Sequence, residues 1–381
     1  PDPDFPALFN DSATGPTSVV LDTTVTPSSV TFANSTLPYT LSGTGKITGT
    51  TGVTKSGTAA LTLDTDNDYT GVTRLEGGTT SVATLTNGGV AGPLGAASSD
   101  PANLALGGGT LDYTGAAVTI DRGLSVSAAN TTIASTVNLA ADVTTSGQVS
   151  ATMGKLTKSG PGTLTLTNTG ANVLAEGSGG ETPQALRVSD GGLALTGAGQ
   201  TNLVNGWAAV GTTASTTSSL TLNNGAAMTV NGRAQFATAA SSSASLTISG
   251  TSALQTSEPV QFGLGAGSSV NVLIENSGSL TKTGGWFSLG HSSANTTMTI
   301  RDSGSLTGTG GDLNVGDTDT STGVLNLEDN ANVSWAGSSV FVGKNSTTGT
   351  LNMSGDSNLT SGNTDIGGNN TSNGTLNMSG T

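Results

Sequence analysis

The second half of the chain repeats every 26 residues, and this period constrains the fold more than any other feature. A pair of apolar residues separated by one residue recurs at this spacing, once lengthened to 27 and once shortened to 25 residues. A repeat of this length is typical of a solenoid, because a propeller blade needs about 40–50 residues. The pairs are Leu220/Leu222, Leu246/Ile248, Val272/Ile274, Met298/Ile300, Leu325/Leu327, Leu351/Met353 and Leu376/Met378.

Each repeat carries two more apolar positions, one before and one after the pair, so that three short alternating segments follow one another. Alternation in a strand points one side chain inward and the next outward. Gly, Ser, Asn and Asp separate the segments, and these residues favour turns. We therefore predict an all-β fold, a right-handed parallel β-helix (β-solenoid) with about 26 residues and three short strands per coil. Phe236 and Phe262 should stack on each other in adjacent coils.

The composition agrees with a thin, repeated core. Gly contributes 57 residues, while only 3% of the residues are aromatic and 9% are charged. A chain without Cys forms neither disulfides nor thiolate metal sites. The net charge of −14 argues against nucleic acid or an anionic membrane as a partner. No run of 18 apolar residues occurs, so we predict no transmembrane segment.

The regularity changes along the chain, and we predict three regions from it. Residues 1–42 contain six prolines and read as an N-terminal cap segment, which a solenoid needs because its terminal coil exposes apolar side chains. Residues 43–200 form an irregular β-helix. Residues 201–381 form the regular β-helix of 26-residue repeats.

Two longer segments within residues 43–200 share recognisable motifs. One motif, Leu-Thr-Lys-x-Gly-x-Gly-Thr-Leu-Thr-Leu, is carried by Leu156, Thr157, Lys158, Gly160, Gly162, Thr163, Leu164, Thr165 and Leu166. The other, Asn-x-Tyr-x-Gly-x-Thr, is carried by Asn67, Tyr69, Gly71 and Thr73. With these motifs the chain resembles the autotransporter-associated β-strand repeat family of large secreted bacterial surface proteins. The resemblance implies a right-handed β-helix, export, and an extracellular location at the bacterial cell surface.

The predicted function is that of an extracellular structural or adhesive β-helical protein and not an enzyme. In its specific form the chain is a cell-surface or filament-forming subunit that assembles head to tail with copies of itself. The first alternative is a carbohydrate-binding passenger, or a stalk that continues into the remainder of a longer chain, with surface glycans as partners. The second is a polysaccharide lyase or hydrolase.

Candidate self-assembly residues lie near both ends of the sequence. Phe5, Leu8 and Phe9 are apolar residues in the cap segment, and Leu376 and Met378 belong to the last apolar pair. Strand addition at a sheet edge would join such segments. The competing interpretation is that the cap segment covers the core of its own coil.

An acidic triplet is the main candidate metal site. Asp64, Asp66 and Asp68 alternate with other residues and would offer hard oxygen ligands to Ca²⁺. Tyr69 and Leu75 stand where an EF-hand loop requires Gly and Glu, so the match to that loop is poor. Apart from Ca²⁺, we predict no cofactor.

A charge ladder is predicted on the surface of the regular repeats. Glu275, Arg301 and Glu328 each lie three residues after the first member of an apolar pair, so they should stack on adjacent coils. Exposed ion pairs contribute about 0–1 kcal/mol, which favours a structural role in setting the register.

Two tryptophans are candidates for contact with sugar rings. Trp207 and Trp286 lie at nearly equal phases of the repeat, but Arg233 and Pro259 occupy that phase in the repeats between them. We therefore expect packing in the core or at turns and no continuous aromatic platform. His291 is the one histidine and is interpreted as structural. We assign no catalytic residue.

Overall fold

The structure is a computed structural model that describes residues 5–176, 184–368 and 371–380. Within these ranges the chain forms 39 strands and one short 3₁₀ turn at Pro101–Asn103. The strands stack in parallel as a β-solenoid with about 26 residues per turn, which confirms the predicted fold. The chain divides into two compact units. Unit 1 comprises the described residues up to 168 together with 172–176, and unit 2 comprises 169–171 and the described residues from 184 onward.

The strands of unit 1 are short. They are β1 (Pro6–Asn10), β2 (Ser18–Val20), β3 (Ser29–Ala33), β4 (Tyr39–Ser42), β5 (Val53–Ser56), β6 (Leu61–Leu63), β7 (Thr73–Leu75), β8 (Thr79–Val82), β9 (Leu104–Leu106), β10 (Thr110–Tyr113), β11 (Val118–Ile120), β12 (Leu124–Ser127), β13 (Ala134–Leu139), β14 (Val143–Thr145), β15 (Val149–Met153), β16 (Lys155–Ser159) and β17 (Thr163–Leu166). Strand β18 (Ala171–Glu176) follows at the division between the units.

Coil length varies in unit 1. Val30 pairs with Val53, Val53 pairs with Thr73, and Thr73 pairs with Leu104, so successive coils differ by several residues. The N-terminal strands take part in the same stacking, since β1 pairs with β3 and β2 pairs with β4. Phe9 lies directly over Phe32 in this arrangement, with ring centroids 4.6 Å apart.

Two buried lysines close corners of unit 1. The ammonium of Lys55 donates to the carbonyl oxygens of the next two residues at 2.6 and 2.9 Å, and Lys158 donates to the next two carbonyls at 2.8 Å each. Gly57 and Gly160 follow them with φ of +76°, a left-handed conformation that glycine adopts without strain. The Lys-x-Gly part of the repeat motif is therefore a corner in which a charged side chain satisfies backbone carbonyls.

The second motif forms a buried hydrogen-bond network. Asn67 accepts a bond from the backbone N–H of Ile47 at 3.0 Å and donates to the carbonyl of Pro93 at 3.3 Å. The hydroxyl of Tyr69 lies 2.7 Å from that of Thr73, and burial raises the pKa of Tyr69 to about 12. Burying polar groups costs free energy unless they are bonded, so these residues act together to hold one corner.

Unit 2 repeats three kinds of strand. Long strands form face A. They are β20 (Gly191–Leu195), β23 (Thr217–Leu222), β26 (Ser243–Ile248), β29 (Ser269–Ile274), β32 (Asn295–Ile300), β35 (Thr322–Leu327), β37 (Thr348–Ser354) and β39 (Asn373–Ser379). Face B holds β21 (Thr201–Asn205), β24 (Ala227–Val230), β27 (Ala253–Thr256), β30 (Ser279–Lys282) and β33 (Ser305–Gly308). Face C holds β19 (Leu186–Val188), β22 (Ala208–Val210), β25 (Ala234–Phe236), β28 (Val260–Phe262), β31 (Phe287–Leu289) and β34 (Leu313–Val315). Strands β36 (Asn332–Val342) and β38 (Asn358–Ile366) extend both faces B and C.

The register of unit 2 follows the sequence period. Leu220 pairs with Leu246, and the apolar pairs continue in register to Leu351 and Leu376. The predicted stack of Phe236 on Phe262 is present, with ring centroids 4.8 Å apart and planes inclined by 23°. Most inward positions in a solenoid are apolar, which is why the sequence period and the structural period coincide.

Trp335 and Lys282 share the interior of unit 2. The indole N–H of Trp335 donates to the carbonyl of Gly311 at 2.9 Å, and a Cβ at Gly308 would lie 2.3 Å from the Trp335 ring. The ammonium of Lys282 lies 5.2 Å from the ring centroid of Trp335 and donates to two backbone carbonyls. Burial lowers the pKa of Lys282 to about 8.

Candidate functional site

Face C of unit 2 carries a groove whose floor is polar. Each of its three-residue strands buries the two outer side chains in the core, so the central side chain points away from the core. These central residues are nevertheless buried, with exposed fractions of 8% for Gln235, 4% for Gln261, 0% for Ser288 and 3% for Asn314. Gln235 Nε2 donates to Gln261 Oε1 at 3.0 Å, which links the floor along the groove. Walls on both sides must therefore shelter these polar residues.

Two columns of side chains form those walls. The first wall consists of the residue before each face C strand, and the second wall consists of the second residue after it. Backbone hydrogen bonds hold successive coils in place at the second wall, for example from Asp317 to Gly290 at 3.0 Å and from Lys344 to Gly316 at 3.1 Å. The first wall comprises Trp207, Arg233, Pro259, Trp286 and Asp312, and the second comprises Thr212, Thr238, Leu264, His291, Asp317 and Lys344.

The groove widens into a cleft of about 320 Å³ at one point along its length. The cleft combines an aromatic ring, two carboxylates, an amide, an imidazole and an ammonium group. Such a mixture of one apolar surface with several polar groups is typical of sites that bind small polar molecules. Its lining residues are Trp286, His291, Asp312, Asn314, Asp317, Thr318 and Lys344.

Hydrogen bonds and one ion pair orient the polar side chains of the cleft. Lys344 Nζ lies 3.7 Å from Asp312 Oδ2 and donates to Asn314 Oδ1 at 3.2 Å. Ser288 Oγ donates to Asp317 Oδ2 from the floor. His291 Nδ1 lies 2.7 Å from the hydroxyl of the next residue. The cleft is therefore built from side chains that already hold one another in position.

Arg233 joins the two tryptophans that the sequence places at nearly equal phases. Its guanidinium carbon lies 4.7 Å from the ring centroid of Trp207 and 5.8 Å from that of Trp286. A guanidinium group at these distances is attracted to the aromatic face. Arg233, which we expected to interrupt an aromatic platform, thus connects the two rings along the first wall. Trp286 remains 40% exposed beside the cleft.

The acidic triplet lies in unit 1. Asp64 and Asp66 are exposed, and Asp68 forms an ion pair with Lys46 at 2.5 Å. The hydrogen bond from Lys46 is the main cause that lowers the pKa of Asp68. In the described part of the chain, no three Asp, Glu or His side chains are grouped so that they could hold a metal ion. Calcium binding at this triplet stays a prediction.

The ladder residues follow three strands that pair in sequence on face A. Arg301 donates to Glu275 Oε2 from Nε at 3.0 Å and from a terminal nitrogen at 2.5 Å. This hydrogen bond is the main cause that raises the pKa of Arg301, and Glu328 on the next coil adds to the effect. Both side chains of the ion pair reach the surface. A register-setting role for the ladder remains a prediction.

The proposed self-assembly residues differ in exposure. Phe5 and Leu8 are 66% and 60% exposed, whereas Phe9 stacks on the next coil within unit 1. Phe5 and Phe9 border an apolar hollow of about 240 Å³. In unit 2, Leu376 is 39% exposed and Met378 is 72% exposed. The structure contains one copy of the chain, so assembly through these residues stays a prediction.

Most of the groove residues were not predicted from the sequence as site residues, although the sequence contains a signal for them. Aligning each repeat on its apolar pair places the residues of the floor in one column and those of each wall in another. Polar residues at the centre of a three-residue strand are the useful signal, because most outward residues of a short strand lie in open solvent. The missed residues are Gln235, Gln261, Ser288, Asp312, Asn314, Asp317 and Lys344.

Part of the chain is similar to the protein named Adhesin BmaC autotransporter from Brucella suis biovar 1 (strain 1330). The two sequences are 38% identical over 185 residues, which is 45% of this chain and 5% of that protein. The chain therefore spans a small part of the length of this relative. No family model matches the chain, and no solved structure shows significant similarity to it.

The described residues contain no helix of the length and apolarity that a membrane span requires. The parallel coils of about 26 residues provide the architecture that the repeat motifs predict. Together with the similarity to an autotransporter adhesin, they confirm that the chain is similar to the autotransporter-associated β-strand repeat family.

Proposed function

We propose that the chain is an adhesive module of a bacterial surface or secreted protein, in which a β-solenoid presents the groove of unit 2 to a target. The observation that carries this proposal is the arrangement of floor and walls in three columns on one face. Strands hydrogen-bonded to both neighbours hold side chains more precisely than loops do. A groove built this way is prepared for contact before the target arrives, which lowers the entropy cost of binding.

The similarity to an autotransporter adhesin supports a role in adhesion and a location outside the cell. That protein is named an adhesin and an autotransporter, and the 185 aligned residues of this chain correspond to 5% of it. A small part of a long adhesive protein can act either as a contact surface or as a spacer. The recessed polar groove favours the contact surface, because a spacer needs no sheltered polar residues.

The cleft favours binding over cleavage of a polysaccharide. Glycoside hydrolysis uses two carboxyl groups, one as acid and one as base or nucleophile. In the cleft, Asp312 is engaged by Lys344 and Asp317 accepts a hydrogen bond from Ser288. Both carboxylates therefore already have protein partners, as expected of groups that orient a ligand.

Adhesion of coated beads tests the proposal. Beads that carry the full chain should adhere to host cells, to bacterial cells or to immobilised glycans and proteins. The double variant Trp286→Ala/Asp317→Ala should lose adhesion, because it removes the apolar surface and a carboxylate of the cleft. Gln255→Ala is the matched control, since Gln255 is exposed on face B of the same unit. Equal adhesion of the double variant and the wild type would refute the role of the groove.

Head-to-tail assembly into a filament is a second candidate function. It is favoured by the exposure of Phe5 and Leu8 in unit 1 and of Leu376 and Met378 in unit 2. Contacts between unlike surfaces generate fibres when the rotation between copies does not close a ring. Negative-stain electron microscopy should then show fibres for the wild type and separate particles for Leu8→Glu and Met378→Glu. Separate particles for the wild type would rule out self-assembly under those conditions.

A further inference from the structure

We infer that the cleft binds a neutral oligosaccharide, with a pyranose ring against Trp286 and its hydroxyl groups bound by Asn314 and Asp317. This inference deepens the proposed adhesive function and rests on it. Three independent features of the cleft lead to this class of ligand: an exposed aromatic ring, a set of oriented hydrogen-bonding groups, and the sign of the local charge.

Trp286 is the first feature. Between residues 184 and 365, all of which the structure describes, it is the one large apolar side chain that stays exposed. A single exposed apolar side chain is ordinary on a protein surface, so the relevant observation is that Trp286 lines the cleft. An indole ring offers a flat apolar surface together with a polar N–H. The C–H side of a pyranose ring is a flat apolar surface of the same kind, and stacking would cover both.

Arg233 positions this ring. Its guanidinium group lies 5.8 Å from the Trp286 ring centroid and 4.7 Å from that of Trp207. A cation between two aromatic faces restricts the orientations that the indole can adopt. Because the ring is already held, stacking on a sugar would cost less side-chain entropy. Arg233 is thus a positioning residue and need not contact the ligand.

The hydrogen-bonding groups are the second feature. A sugar presents neighbouring hydroxyl groups that both donate and accept hydrogen bonds. Asp317 offers acceptors, and Asn314 and Lys344 offer donors. Ser288 bonds to Asp317 and Lys344 bonds to Asn314, so each group is oriented before the ligand arrives. Such fixed polar groups distinguish a sugar from an apolar ligand.

Local charge is the third feature. The cleft lining holds the carboxylates of Asp312 and Asp317 and the ammonium of Lys344, while the guanidinium of Arg233 lies outside the lining, 5.8 Å from the Trp286 ring centroid. The whole chain carries a net charge of −14. A sugar with a carboxylate or sulfate group would meet repulsion from both sources. A neutral glycan avoids this repulsion, and its hydroxyl groups can donate to the same carboxylates.

The groove also suits a ligand of several sugar units. Neighbouring coils lie roughly 4.8 Å apart in a β-solenoid. Gln235 and Gln261 continue the polar floor beyond the cleft, while Trp207 and Arg233 continue the first wall. An extended oligosaccharide that crosses several coils would therefore find polar floor residues on successive coils and an aromatic ring of the first wall at Trp207 and at Trp286.

A glycan array with neutral and acidic oligosaccharides, probed with the full chain, tests the inference. We expect binding to neutral glycans, and titration calorimetry on the best of them would give Kd. Trp286→Ala should weaken binding about tenfold or more because it removes the stacking surface. Trp286→Phe should restore part of the affinity, and Gln255→Ala should leave it unchanged. Circular dichroism and the unfolding midpoint of each variant would establish that it is folded.

Several outcomes would overturn the inference. Binding confined to acidic glycans would refute the neutral class, and unchanged affinity in Trp286→Ala would refute the site. If the wild type released shorter saccharides from a glycan and Asp317→Asn did not, the cleft would be a site of cleavage and the inference of a binding site would be wrong. The full chain could show bead adhesion that depends on the groove but no glycan binding. That result would refute a glycan as the ligand and would still support the proposed adhesive function. If the full chain showed neither glycan binding nor bead adhesion that depends on the groove, the proposed function would be refuted as well.

Discussion

Unit 1 and unit 2 build parallel coils in two different ways. Unit 1 tolerates coils of unequal length, since Val53 pairs with Thr73 and Thr73 pairs with Leu104. Its corners contain buried polar side chains such as Lys55 and Asn67 that bond to the backbone. Unit 2 keeps a nearly constant coil that is filled mostly by apolar columns, although its buried Lys282 also bonds to the backbone. A solenoid can therefore vary its coil length when side chains bond to the backbone groups that the strand ladder leaves unpaired at the corners.

The effects of substitutions should be confined to one unit. The stability of a solenoid is approximately a sum over coils and their interfaces, so a substitution should act mainly in its own unit. Hydrogen exchange read by mass spectrometry can assign a loss of protection to unit 1 or to unit 2.

Trp335→Ala should cause the largest loss, and it should appear in unit 2. Trp335 is fully buried, and truncation of a buried Phe or Trp to Ala typically costs about 3–5 kcal/mol. Urea unfolding would measure this loss, and hydrogen exchange would locate it. Trp286→Ala is the matched control and should cost much less, because Trp286 is 40% exposed. Equal losses for the two variants would contradict the account of the unit 2 core.

Asn67→Ala should destabilise unit 1 by about 2 kcal/mol, since it leaves buried backbone groups without partners. Asn67 bonds to the N–H of Ile47 and to the carbonyl of Pro93, which lie on either side of the corner. The neighbouring Asp66→Ala is the control, because Asp66 is exposed. If hydrogen exchange showed the loss spread equally over both units, the division into two independent kinds of coil would be wrong.

Lys282 should give unit 2 a pH dependence in the alkaline range. Burial lowers its pKa to about 8, whereas a lysine in the unfolded chain titrates near about 10.4. Between these values the unfolded chain holds a proton that the folded unit has released, so the free energy of unfolding rises with pH. Lys282→Met should remove this rise. Urea unfolding of both proteins from pH 7 to pH 10.5 measures it, and parallel curves would contradict the prediction.

Arg301→Ala should have the smallest effect. Arg301 pairs with Glu275 at the surface of unit 2, where solvent and salt screen the attraction. We expect an unfolding midpoint that does not differ measurably from that of the wild type at low or high salt. A double-mutant cycle with Glu275→Ala would measure the coupling directly. A clear, salt-sensitive coupling would show that surface ion pairs also help to hold the coils of unit 2.

The fold was predictable from the sequence because the columns of core positions in a regular solenoid restrict the type of residue to apolar ones. Leu220, Leu246 and Phe236 fall in columns that must stay apolar, so the period in the sequence is the period in the structure. The role of Lys55 and Lys158 was not predictable. A sequence does not distinguish a buried lysine that bonds to carbonyls from a solvated lysine. The difference depends on the path of the backbone around the side chain.

The candidate site was less predictable, for a related reason. Gln261 and Asn314 are outward residues, and nothing in a single sequence tells whether neighbouring side chains shelter them. Trp286 was recognised as a candidate for sugar contact. The contact of Arg233 with both tryptophans was missed, because it depends on how far a long side chain reaches across adjacent coils.

The column arrangement of the groove has a consequence for how such a protein changes over generations. A stretch of DNA that encodes one coil is a natural unit of duplication or loss, because each coil meets its neighbours through equivalent surfaces. Gain of one coil would lengthen the groove by roughly 4.8 Å and leave the apolar columns in register. Recombination between repeats can therefore alter the reach of the contact surface in whole-coil steps, and no core has to be assembled anew.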